Sequence, residues 1–413
     1  MKIFLRTNLS PLISTMLVIC FCMLTIGCNG PTKTGVEARA FVQKKYNSDL
    51  ANLAAQSADE AYQVGNLDQA LTNVEHAIAA EPQNPGRYIL RGRIQIEMNA
   101  LQNARKSFLF ALKLNPDNPD AEYYLGLIFQ RWSNNEDAAE HYKKAVELAP
   151  ENEDYALAYV ETLVALNHLE PALQFLQTTE VDVQHDPSFQ RIEGHIALMQ
   201  HRPKDASESF YQAMLLDPDD TGIIESLIYS YIEYGDYGHA QYYLKQLLSD
   251  PRTSDRSDLK HLMARCMSAS NRLIEARDYY LQLIDHDRND PALWYELGIV
   301  SIRLGDQRRG TQAAQTLISM WPQRAEGYIL QGRLHDINNE YSKAIHDYRT
   351  AASHDADRED IFVLLGLVLE KSGDFDAAKT AYSKALSINP EGNQTKRLLN
   401  DIDERRTAAV NMD

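Results

Sequence analysis

Cysteine is scarce in this 413-residue chain, and what there is cannot staple it. Cys20 and Cys22 lie inside an N-terminal apolar run, Cys28 closes that run, and Cys266 stands alone in the body. A disulfide framework is therefore excluded from the body, and Cys266 reads as a small buried apolar side chain. Metal-binding patterns are equally thin. The 12 histidines are scattered, with no His-Glu-x-x-His run and no paired-cysteine spacing. Asp285, Asp287, Asn289 and Glu296 fall at positions 1, 3, 5 and 12 of a calcium-loop spacing. That loop needs glycine at its sixth position, where Asp290 stands before Pro291, so calcium is set aside. No phosphate-cradling glycine loop and no G-x-S-x-G elbow occur. No metal, cofactor or catalytic set is expected.

Positive charge is also in short supply. Lys and Arg number 41 against 58 Asp and Glu, a net charge of −17. Loss of residues 1–27 would remove Lys2 and Arg6 but no acid, taking the balance to −19. Nucleic acid is excluded as a partner, because phosphates need basic patches to neutralise them. A broad electrostatic grip on anionic lipid is excluded on the same ground.

What the chain does have is a beat. Pro82, Pro116 and Pro150 are 34 residues apart, Pro218 follows at twice that interval, and Pro322 and Pro390 are again separated by twice 34. A fixed period of this size marks a repeat architecture. Twelve residues before these prolines runs a column of alanines: Ala70, Ala104, Ala138, Ala206, Ala378. Four residues after the alanine comes a ring in Phe108, Tyr142, Phe210, Tyr348 and Tyr382, and three further on a second alanine. Spacings of four and three share one helix face. Twelve residues before the first alanine stands Gly92, Gly126, Gly194, Gly332 or Gly366. The pattern predicts antiparallel helix pairs, with glycine and alanine thinning the crossing so that two backbones approach. A proline then closes each unit, because it cannot continue a helix.

These columns resemble the tetratricopeptide repeat, W-x2-L-G-x2-Y, A-x3-F, A, P. Residues 294–298 (WYELG), 122–129 (EYYLGLIF) and 378–390 (AKTAYSKALSINP) carry the likeness best. The resemblance covers roughly 340 residues and implies an all-α, right-handed α-solenoid of about ten helix pairs over residues 51–392. The fourth, sixth and seventh units are degenerate, and two residues are inserted near Pro251. A longer loop is expected there. Residues 393–413 are expected to form a capping helix and tail. In this family the first helix of each pair lines a concave groove that holds a protein or peptide. The resemblance places Tyr123, Arg131, Arg191, His195, Tyr229, Arg265, Tyr295, Arg303 and Arg333 on that groove. The asparagines with which some relatives clamp chaperone C-termini are absent, since Leu90, Tyr124 and Ile192 or Arg93, Leu127 and His195 occupy their places. Repeat six is rich in tyrosine, and half of these rings are expected to face inward.

The N-terminus reads as an address. Lys2 and Arg6 precede the apolar run Leu12 to Ile26, the layout of a secretory signal over residues 1–27. Leu24-Thr25-Ile26-Gly27-Cys28 resembles the lipobox of bacterial lipoproteins, with the leucine one place early. The resemblance implies lipidation of Cys28 and a membrane contact through that anchor. Asn29 in place of Asp then implies outer-membrane sorting, facing the periplasm. Residues 28–50 would form a tether, with a lead-in helix over 36–47. The expectation is a lipid-anchored, non-enzymatic scaffold for a pilus, secretion or export assembly. The alternative is an accessory subunit that recruits an envelope enzyme such as a glycosyltransferase or peptidoglycan hydrolase.

Overall fold

The computed structural model describes residues 33–410. The signal segment, Cys28 and the start of the tether lie outside the described residues. Every element among the described residues is a helix. The chain divides into two compact units between Val183 and Gln184. The first unit holds α1 (Lys33–Gln63), α2 (Leu67–Ala80), α3 (Pro85–Glu97), α4 (Leu101–Leu114), α5 (Pro119–Arg131), α6 (Asn135–Leu148), α7 (Glu153–Ala165) and α8 (Leu169–Thr178). The second begins with α9 (Pro187–Met199), α10 (Pro203–Leu216), α11 (Thr221–Tyr234), α12 (Tyr237–Ser249), α13 (Ser257–Ala269) and α14 (Leu273–His286). It continues through α15 (Pro291–Arg303), α16 (Gln307–Met320), α17 (Ala325–Ile337), α18 (Tyr341–His354), α19 (Glu359–Lys371), α20 (Phe375–Ile388), α21 (Asn393–Asn400) and α22 (Ile402–Val410). The architecture is an all-α array of about ten helix pairs.

Each pair is joined by a turn with one left-handed residue. From the second repeat on these are Asn99, Ser133, Asn167, His201, Gly235, Asn271, Gly305, Asn339 and Gly373. Glycine and asparagine dominate because a Cβ crowds the backbone at positive φ. Between repeats, Asn84, Asn118, Asn152, Asp186, Asp220 and Asp290 cap the next first helix through a side-chain oxygen. The two inserted residues fall in a closed loop after α12, where Ser254 N–H donates to Asp250 O at 2.8 Å.

The glycine column does something other than let backbones touch. A Cβ at Gly92 would lie 2.4 Å from the Phe108 ring, at Gly126 2.7 Å from Tyr142, at Gly194 2.8 Å from Phe210 and at Gly366 2.4 Å from Tyr382. Each glycine admits the ring of its own repeat's second helix. Those rings are almost wholly buried. The eighth repeat carries Gly310 and Ala314 in place of alanine and ring, and Gly298 instead receives Leu330 of the next first helix, at 2.3 Å from the same imaginary Cβ.

Two expectations need correction. The lead-in helix does not stand apart: α1 runs unbroken through residue 50, since neither glycine nor proline occurs between Val36 and Val64. The single C-terminal helix is two, broken at Asp401, which turns Ile402 inward against the core of the last repeat. Asn393 stands 34 residues after Glu359, so α21 occupies the register of one more first helix. There Thr395 Oγ1 donates to Glu359 Oε1 at 2.9 Å, and Arg405 Nε donates to Glu370 Oε2 at 2.8 Å.

Two predictions follow from the rings. Gly126→Ala forces a methyl into Tyr142 and is expected to lower stability by about 1–3 kcal/mol. Adding Tyr142→Leu should recover part of that loss, read as urea midpoint and as hydrogen exchange in α5 and α6. The second concerns hydroxyls. Tyr142 donates to Gln130 Oε1 at 2.9 Å and Tyr382 to Glu370 Oε1 at 2.7 Å, each 12 residues back. The same place before Tyr348 holds Asp336, one methylene shorter and gripped by Lys371 Nζ at 2.7 Å, and the buried Tyr348 hydroxyl has no partner. Tyr382→Phe should therefore cost about 1 kcal/mol in thermal unfolding, while Tyr348→Phe should be neutral or stabilising.

Candidate partner-binding face

Because the second-helix ring and the alanines are turned into the pair, the free chemistry of each repeat lies on the far side of its first helix and the outer side of its second. Two first-helix positions matter, the fifth and the ninth. The ninth opens to solvent in three successive repeats of the second unit: His195 on α9, Tyr229 on α11 and Arg265 on α13 are all exposed. Arg333 holds that position on α17 and is half-buried, with its Nε enclosed and unpartnered. Neither Arg265 nor Arg333 is in an ion pair among the described residues. Arg265 borders a recess of about 210 Å3 between α11, α13 and α15, with Ile232 and Leu262 as apolar wall and Glu296 and Arg303 at the rim. Cys266 lies at its base, and burial pushes its thiol up to about 11. The His195 ring meets Phe210 edge-on, with centroids 5.0 Å apart. Burial of that ring face, and then the Arg191 charge, hold its pKa below the ordinary histidine value.

The fifth position is more enclosed. Arg191 and Tyr295 are both half-buried there. The Tyr295 phenol accepts from Arg358 Nη2 at 3.2 Å, and the guanidinium lies 5.5 Å from the ring centroid. Burial raises the Tyr295 pKa against the pull of Arg358 and Arg333. Arg303, at the end of α15, is also engaged. Its Nη1 donates to Ser268 O and Oγ at 3.0 and 3.1 Å, and its Nη2 to Asn271 Oδ1 at 3.2 Å. It thereby ties the eighth repeat to the seventh.

In the first unit Tyr123 is half-buried in an aromatic cluster, 5.0 Å from Tyr155 and 5.6 Å from Tyr142 between centroids. Burial and nearby Asp154 and Glu161 raise its pKa. Arg131 is exposed in the last turn of α5. Cys28 lies outside the described residues. In the tyrosine-rich sixth repeat, Tyr229, Tyr234 and Tyr242 are 51%, 49% and 58% exposed, while Tyr243 is buried and Tyr231 and Tyr237 pack against the core.

One set of residues went unread in the sequence. Where the Asn/Asp cap column lapses, arginine replaces it: Arg256, Arg324 and Arg358. Each pairs with a carboxylate two residues on, Asp258, Glu326 or Asp360. Arg256 also grips Glu225 of the preceding first helix, and Arg358 lies 3.7 Å from Glu326. The signal was an acid two places after each exceptional arginine. Among the described residues no group of three or more His, Cys, Asp or Glu is placed to hold a metal ion. Nor is any helix there long and apolar enough to cross a membrane.

Parts of the chain match a known repeat family. The tetratricopeptide repeat family matches residues 89–153, 133–196 and 359–391. Protein bimA of Emericella nidulans is 23% identical over 205 residues, 50% of this chain and 25% of that protein. The TPR repeat-containing protein YpiA of Bacillus subtilis is 20% identical over 266 residues, 64% of this chain and 62% of that one. The chain thus spans a quarter and about three fifths of these relatives. Among solved structures, that of Naa15/Naa10 bound to HypK-THB aligns over 91% of this chain and 65% of its own, at 13% identity and a TM-score of 0.36. The chain has a tetratricopeptide-repeat architecture, a scaffold for protein–protein interaction.

The two kinds of arginine should separate in a melt. Arg303→Ala removes three inter-repeat hydrogen bonds and is expected to cost about 1–3 kcal/mol. Arg265→Ala should stay within about 0.5 kcal/mol, as exposed substitutions do. Thermal denaturation of the two variants side by side checks this.

Proposed function

We propose that this chain is a lipid-anchored scaffold of a bacterial envelope, held through Cys28 and facing the periplasm from the outer membrane. It grips a protein partner along the first-helix face of its second unit and serves the assembly of a pilus, secretion or export complex. The observation that carries the gripping face is the run His195, Tyr229, Arg265. Three successive first helices present exposed side chains at one position. Tyrosine and arginine are the residues that dominate interface energies. Among the described residues Arg265 has no ion pair to break before it meets a partner. Support for the anchor is the motif ending at Cys28.

Each half has its own test. Cys28→Ala should move the protein out of the membrane fraction, and intact mass of the wild-type N-terminal peptide should carry acyl chains. Retention of the variant in membranes would remove the anchor from the reading. For the face, a photo-crosslinking residue is placed at 229 or 265 and, as control, at Glu208 on a second helix. Adducts of a defined partner are expected from the first two sites in living cells. Tyr229→Ala/Arg265→Ala should reduce recovery of that partner at least tenfold with the melting temperature nearly unchanged. Crosslinks confined to 208 would move the site to the second-helix face.

A further inference from the structure

The N-terminal helix is too long for the repeat it begins. Other first helices have 13 or 14 residues, whereas α1 has 31. Its buried residues are Ala51, Ala55 and Ala58, which face α2. Residues 33–50 have none, so about 27 Å of helix, at roughly 1.5 Å per residue, has no packed core face, and only Ala40, Gln43, Lys44, Asn47 and Ser48 border a recess beside residues 80–85. A bare helix of that length is marginal in water without a packed face. This stretch is nevertheless apolar where it is most open: Phe41, Val42 and Tyr46 are 70%, 64% and 61% exposed. Val42, Tyr46, Leu50 and Leu53 follow at intervals of four, four and three, one stripe along the helix. Arg39 and Lys45 flank it, Phe41 lies beyond Lys45, and Asp49 interrupts it only near Leu53. In the second unit the last repeat is closed by α21 and α22, as a repeat protein requires for solubility.

Charge identifies what covers the stripe. Residues 33–50 carry Lys33, Arg39, Lys44 and Lys45 against Glu37 and Asp49, a basic stretch in a chain of net charge −17. None of these four cations is ion-paired among the described residues. Exposed aromatic and aliphatic side chains flanked by lysine and arginine are the composition of a helix that lies in a lipid interface. Long basic side chains there lay their stems on apolar surface and their charges on headgroups. Position agrees, and here the inference rests on the anchor proposed above. Five residue steps separate Cys28 from Lys33. At most about 18 Å can be spanned by them. We propose that residues 33–50 form an interfacial helix that seats on anionic lipid, with Val42 and Tyr46 at the boundary of headgroups and acyl chains and Arg39 and Lys45 on the headgroups.

The test uses the full-length protein isolated from membranes, with Val42→Cys carrying an environment-sensitive nitrobenzoxadiazole dye. Cys266 is buried and does not compete for label, and peptide mass analysis confirms that the dye is on residue 42 and not on Cys20, Cys22 or Cys28. The protein is reconstituted in phosphatidylethanolamine/phosphatidylglycerol vesicles or in phosphatidylcholine vesicles. The dye at 42 should shift to the blue and be quenched by doxyl-labelled lipid in the anionic vesicles, while a dye at Asp285→Cys stays in water. Arg39→Glu/Lys45→Glu should cut the quenched fraction at least threefold with an unchanged circular-dichroism melt. Mass analysis of the N-terminal peptide is read in the same sample. Acylated Cys28 with a water-exposed dye at 42 overturns the interfacial helix and leaves the anchor standing. Absence of acylation overturns the anchor; the interfacial helix then survives only if the soluble protein still brings the dye into anionic vesicles, and otherwise falls too. A dye already buried before vesicles are added means that a second copy covers the stripe, and overturns the proposal.

Discussion

The array depends on one contact, an aromatic ring lying over a glycine. In five of the ten repeats the ring of the second helix fills the space that a side chain on the first helix would need. That contact fixes the rotation of the two helices and turns the alanines into the crossing. It also decides what is left over. With its inner face given to ring, glycine and alanine, a repeat can show a partner only the far side of its first helix and the outer side of its second. The chemistry available for recognition is thus set by a packing rule that has no recognition in it.

The ring brings a polar consequence when it is tyrosine. A hydroxyl driven into a helix crossing must be paired or it costs stability. Gln130 and Glu370 are long enough to reach back to it; Asp336 is not, and its carboxylate is turned outward to Lys371. In the seventh repeat the place 12 residues before Tyr280 holds Ser268, and the hydroxyl is 3.5 Å from Glu296 of the following first helix instead. Ser268 is thereby left to receive Arg303.

Much of this was legible. The helix pairs, their register and the position of the insertion follow from the proline, alanine and glycine columns. The left-handed residue stands 14 positions after the start of each 13-residue first helix, as in Asn99 after Pro85 and Asn271 after Ser257. The turn inside a pair has a fixed length, so extra residues can enter only between pairs, and that is where the sequence shows them. Less legible was the reason for the glycine. Periodicity says that a small residue is needed, but backbone approach and ring insertion demand the same residue. The break at Asp401 was hidden for a similar reason. The stretch is polar enough to read as one solvated helix, and only the isolated Ile402 records that the chain turns back to the core.

The candidate face shows where sequence position stops being informative. Arg265, Arg303, Arg256 and Arg358 all belong to first helices or their caps. The repeat pattern gives Arg265 and Arg303 one role and says nothing of Arg256 and Arg358, and their surroundings separate all four. Arg256 and Arg358 stand two residues before an acid and within reach of another from the preceding repeat, so they act as clamps between repeats. Arg303 finds a carbonyl and a hydroxyl at the end of α13. Arg265 has Glu296 across a recess and no contact short enough to hold it. An arginine that is already paired gains little by exchanging one partner for another, because the desolvation and the lost bond offset the new one. The free arginine suffers no such loss. Arg256, Arg303 and Arg358 are already engaged, whereas Arg265 and Arg333 have no ion pair among the described residues.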